Sequence, residues 1–125
     1  MRGHTKESNM EFATSTSEML EISIAQAKAK VDDVDALKRL IANPDFKRII
    51  MENYFKSYAV TLVMLKADPS QESDKEQENI DKGIAAIGQL EQFFKGIFIQ
   101  GDMARKSIAD DEESLMEERN SVIEG

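Results

Sequence analysis

Residues 43–66 read NPDFKRIIMENYFKSYAVTLVMLK, and the reading of this stretch decides the fold. Asn43 is a good helix N-cap and Pro44 a good first helical residue, because the N–H that proline lacks has no partner in a first turn. Proline also disfavours helical geometry at the residue before it, so a preceding helix must stop at Asn43. From Pro44 to about Ala67 the 3.6-residue period places Phe46, Ile49, Ile50, Tyr54, Phe55, Tyr58, Leu62 and Leu65 on one wide face. Val60, Val63 and Met64 carry apolar surface round the remaining sides. A helix apolar nearly all round needs cover on more than one side.

Upstream, Ser15 and Glu18 have capping-box spacing, which predicts a helix from about Thr16 to Ala42. Its apolar seam is Leu20, Ile24, Ala27, Val31, Val34 and Ile41, with Lys38 at the skipped position and Leu37 beside it. That is a heptad spacing, the pattern of helices that pack side by side. Helical hairpins usually need about 2–5 connecting residues. The abrupt junction at Asn43-Pro44 therefore predicts a corner rather than a reversal.

Downstream, ADPSQESDKEQEN (residues 67–79) is the clearest loop, broken at Asp68-Pro69, with Ser73 and Glu76 at capping-box spacing. A third helical segment from about Asp74 carries Ile80, Gly83, Ile87, Leu90, Phe94, Ile97, Gly101, Ala104 and Ile108 on a second heptad ladder. Asp111 interrupts the ladder and Leu115 resumes it. Glycine costs up to about 1 kcal/mol in a helix relative to alanine. The glycines of this segment therefore mark either close helix approach or a break near Gly96–Gly101. At about 1.5 Å per residue the third segment outruns the second, so residues 102–121 need cover, for which a second subunit is the expected source.

These patterns predict an all-α chain. At its centre is an antiparallel helical hairpin (about 44–67 and 74–100), with a long N-terminal helix and a helical C-terminal extension, coiled-coil-like and oligomeric. Residues 1–15 are expected to be a flexible arm, 16–109 one helical domain, and 110–125 an acidic tail. The tail holds seven acids and one base, or six of the eight net negative charges of the 125-residue chain. Like-charge crowding with little apolar burial predicts fraying from about Asp110. The oligomer interface is expected at Leu20, Ile24, Val31, Val34, Ile97, Ala104 and Ile108.

At LIANPDFKRIIMENYFKSYAVTLVMLKADP, followed by a segment carrying IDKGIAAIGQLEQFF, the chain resembles small helical proteins encoded by tailed bacteriophages. The shared elements are Asn43-Pro44-Asp45-Phe46, the Tyr54-Phe55 pair, the Leu62–Leu65 run, and the polar loop before Ile84–Phe94. The resemblance covers about residues 36–98. It implies a role in the virion or its assembly and carries over no functional residue.

Nothing in the residues points to catalysis. His4 is the single histidine and there is no cysteine, so thiolate metal sites and disulfides are excluded. Asp32, Asp33 and Asp35, or Asp110–Glu113, lack the glycine turn and alternating ligands of a calcium loop. No glycine-rich phosphate loop or serine elbow is present. No apolar run nears the roughly 20 residues of a membrane span. No secretory signal opens the sequence, so the host-cell cytoplasm or a virion is the expected location.

No cofactor is expected. The expected function is a non-enzymatic, self-associating interaction protein that helps build or complete an assembly such as the virion. Its expected partners are further copies of itself and another protein of that assembly. A first alternative is an acidic inhibitor of a host protein. A second is a DNA-packaging adaptor that uses a basic corner of Lys38, Arg39, Lys47 and Arg48. The overall negative charge argues against nucleic acid as a partner.

Overall fold

The computed structural model describes the backbone of residues 2–124 and the side chains of residues 16–121. In chain order its elements are α1 (Arg2–Ala42), α2 (Pro44–Phe46), a π-helix (Lys47–Tyr58), α3 (Ala59–Lys66), a 3-10 turn (Pro69–Gln71) and α4 (Asp74–Glu124). The protein is all-α, with no strand among the described residues. α1 begins at Arg2, ahead of the start expected at Thr16. The side chains of the arm expected over residues 1–15 lie outside the described residues.

The two breaks form as the local chemistry dictates. Asn43 is extended (φ −66°, ψ 124°), and its side-chain oxygen accepts from the N–H groups of Asp45 and Phe46 at 3.0 and 3.1 Å. At the second break Asp68 caps the 3-10 turn, and Ser73 Oγ accepts from the Glu76 N–H at 3.2 Å to open α4. Gln77 ties the loop down, donating from Nε2 to the carbonyls of Gln71 and Lys66.

The chain divides into two units, residues 1–33 with 99–125, and residues 34–98. In the first unit α1 packs against α4. Ser23 meets Asp111, while Ala27 and Lys30 border the same crevice as Ala104 and Gln100. Residue numbers rise along α1 as they fall along α4, so the two run antiparallel. Ile24, Ala27, Gly101 and Ala104 are buried there. α4 runs unbroken through Gly101 and on past Asp110, so the break near Gly96–Gly101 is not seen. Residues 102–121 take part of the cover they need from α1 of the same chain, while Met103 and Met116 stay exposed.

In the second unit Leu62, Ile80 and Ile87 form a buried cluster, with Tyr54, Phe55, Ala59, Leu65 and Ile84 against it. Phe55 meets Phe94 edge-on at 5.9 Å between ring centroids, and Phe46 lies 6.1 Å from the same ring. Lys66 pairs with Asp81 at the far end. Val34 and Leu37 are buried on the last turns of α1.

The face of residues 44–66 differs from its expected form at Ile49 and Tyr58, which are exposed. At Ile49 the reason is the π winding, in which backbone bonds span five residues rather than four. Ile49, three places on from Phe46, then rotates out of the face, and residues four or five places on align. Tyr58 aligns with Tyr54 and stacks on its ring at 6.0 Å, on the exposed edge of the face. The half-buried set is accordingly Phe46, Ile50, Met51, Tyr54 and Phe55. The Ser57 hydroxyl donates to the carbonyl of Glu52, five residues back, whereas Thr61 in α3 donates to Ser57, four back.

Candidate functional site

The apolar surface left uncovered by this packing is the feature most in need of explanation. Leu62 and its neighbours face α4, so the opposite side of α3 turns Val60, Val63 and Met64 outwards, each more than half exposed. These positions recur at the three- and four-residue spacing of one helical stripe. The chain carries no charge from Ser57 to Leu65 to break the stripe. In the other unit Met19, Ile22, Met103 and Met116 are exposed singly or in pairs.

The residues expected at an oligomer interface have another role within one copy of the chain. Ile24, Val34 and Ala104 are buried, and Leu20, Val31, Ile97 and Ile108 are partly covered. A side chain already enclosed by its own chain has little surface left for a neighbour. The buried part of the first unit's heptad seam, Ile24, Ala27 and Ala104, lies in the α1–α4 contact. Hydropathy periodicity identifies a stripe that needs cover, and is the same whichever chain supplies it.

The basic corner is brought together in part. Lys38 and Lys47 edge one open apolar depression of about 480 Å³, floored by Ile41, Ala42 and Phe98. Arg48 is turned to Asp45, 3.9 Å away, and Arg39 is exposed on the last turn of α1. A second depression of about 330 Å³ shares Ile41 and Phe98 and continues over Met51, Phe55 and Phe94. Lys56 and Lys95 stand on its rim, the latter ion-paired with Glu91 at 3.3 Å. Together they make one apolar groove edged by lysines. Nothing in the sequence marks Lys56 or Lys95 as belonging to it, since both are isolated cations on separate helices.

Among the described residues there is no cluster of three or more His, Asp or Glu placed to hold a metal ion. No helix there is long and apolar enough to cross a membrane. No protein-family profile, curated protein or solved structure matches the chain.

Proposed function

We propose that the chain is a non-enzymatic, self-associating interaction protein that helps build or complete a larger assembly. A tailed-bacteriophage particle is the setting its resemblance over residues 36–98 implies. In this reading residues 44–67 and 74–100 act as a rigid antiparallel hairpin with coiled-coil-like packing, and oligomers form through surface that the chain does not cover itself. The observation that carries the proposal is the stripe of Val60, Val63 and Met64 on a helix whose other side is already packed. Fully burying one such side chain is worth roughly 1.5–3 kcal/mol, so a stripe of three is a strong drive to associate. Contiguous apolar patches on soluble proteins commonly mark interaction sites.

Sedimentation velocity of the wild type against Val63→Glu and Met64→Lys tests the proposal. Self-association at micromolar concentration is expected for the wild type, and its loss in both variants with helicity unchanged. A wild type that stays monomeric at high micromolar concentration contradicts it.

A further inference from the structure

The lysine-edged groove sits oddly on a chain of net charge −8. Its floor is apolar, from Ile41 through Phe98 to Phe55 and Phe94. Lys38 and Lys47 edge one end, Lys56 and Lys95 the other, and Glu91, the acid on this rim, is already held by Lys95. An apolar floor ringed by cations selects an apolar side chain ringed by carboxylates.

The chain itself carries such an element. Met116 on α4 is 63% exposed; Glu112 and Glu113, four and three places before it, share its side of the helix, and Glu117 stands next along from Glu113 at a four-residue spacing, flanking that side. All three carboxylates are exposed, and none forms an ion pair among the described residues.

We infer that the groove of one copy receives the acidic end of α4 of a second copy, with Met116 on the apolar floor and Glu112, Glu113 and Glu117 against the lysines. This rests on the self-association proposed above and adds a second contact to the α3 stripe. A groove and a helix end are different surfaces, so the contact is heterologous. A docked pair keeps one free groove and one free end, so copies add on into a ring or an open chain. That is the growth mode a protein that builds an assembly needs.

Charge exchange on the full-length protein tests the docking. Lys47→Glu with Lys56→Glu reverses the groove, and Glu113→Lys with Glu117→Lys reverses the helix end. All four residues are exposed, and circular dichroism checks that both variants keep their helicity. Wild-type association is expected to weaken about tenfold or more between about 50 and about 500 mM salt, as screening of exposed charges requires. Each reversed variant alone should associate at least about tenfold more weakly than the wild type, and an equimolar mixture should recover, because it holds one native groove and one native helix end. If both reversals leave association unchanged while Val63→Glu abolishes it, the docking is wrong and self-association through the α3 stripe stands. Failure of the mixture to recover, or a groove that binds duplex DNA in place of a second copy, also overturns it. A monomeric wild type overturns both proposals.

Discussion

The Ser23 hydroxyl donates to Asp111 Oδ2 across 2.7 Å, joining two residues 88 positions apart in a half-buried site between α1 and α4. Asp111 is the position that interrupts the apolar ladder between Ile108 and Leu115. A carboxylate in such a seam needs a hydrogen-bond donor, since a buried charge without a partner is costly. Ser23 is placed to supply it. What reads along the sequence as a gap in the seam is a polar pair that fixes the register of the two helices.

The pair gives the first prediction. Ser23→Ala and Asp111→Ala are each expected to cost about 1 kcal/mol in urea unfolding, and the double variant less than the sum of the two. Removing residues 110–125 is expected to cost more than either, because it takes away Asp111 together with the half-buried Leu115. Strictly additive single costs would show that the contact is not formed in solution.

The glycines of α4 give the second. A Cβ added at Gly88 or Gly96 meets nothing within 4 Å, whereas one at Gly83 meets Leu62 Cδ1 at 3.0 Å. Gly88→Ala and Gly96→Ala should each stabilise the protein by up to about 1 kcal/mol through helix propensity and lower backbone entropy of the unfolded chain. At Gly83 the same gain is offset by displacement of Leu62, so Gly83→Ala should gain less than either. Thermal unfolding of the three variants ranks them directly.

A third prediction separates the two faces of α3. Leu62 is 5% exposed, against Ile80 and Ile87, so Leu62→Ala should cost about 2–5 kcal/mol. Val60→Ala removes an exposed side chain and should change the stability of the isolated monomer by no more than about 0.5 kcal/mol. Equal costs at the two positions in dilute solution would mean that the chain covers both faces itself.

The fourth concerns pH. Asp68 accepts from the Ser70 N–H at 2.8 Å and the Ser70 hydroxyl at 2.9 Å, and these bonds, the backbone one foremost, hold its carboxyl below its ordinary 3.8. A depressed folded-state value means that the ionised carboxylate favours the folded loop. Its contribution is present above the ordinary value and fades as pH falls through the lowered one. Carboxyl NMR titration should place the Asp68 midpoint under 3.8, and Ser70→Gly should move it back up. A midpoint at or above 3.8 in the wild type would contradict the turn geometry.

The sequence by itself determined the breaks and the helical segments between them. Asn43 before Pro44, Asp68 before Pro69 and Ser73 before Glu76 act within three residues of themselves, through hydrogen bonds and dihedral limits that need no distant partner. The heptad ladders likewise name Ile24, Ile80, Ile87 and Ala104 as residues that must be covered, since periodicity is set along one helix. Only the tertiary structure decided what covers them. α1 and residues 99–121 bury Ile24, Ala27 and Ala104 against each other within one chain, while Val60, Val63 and Met64 are left in solvent. The meeting of Lys38, Lys47, Lys56 and Lys95 round one groove was hidden for the same reason, and the π winding that turns Ile49 outwards departs from the 3.6-residue period by which the face is read. The groove depends on how helices distant in sequence settle against one another, and a residue pattern read along one helix carries no term for its partner.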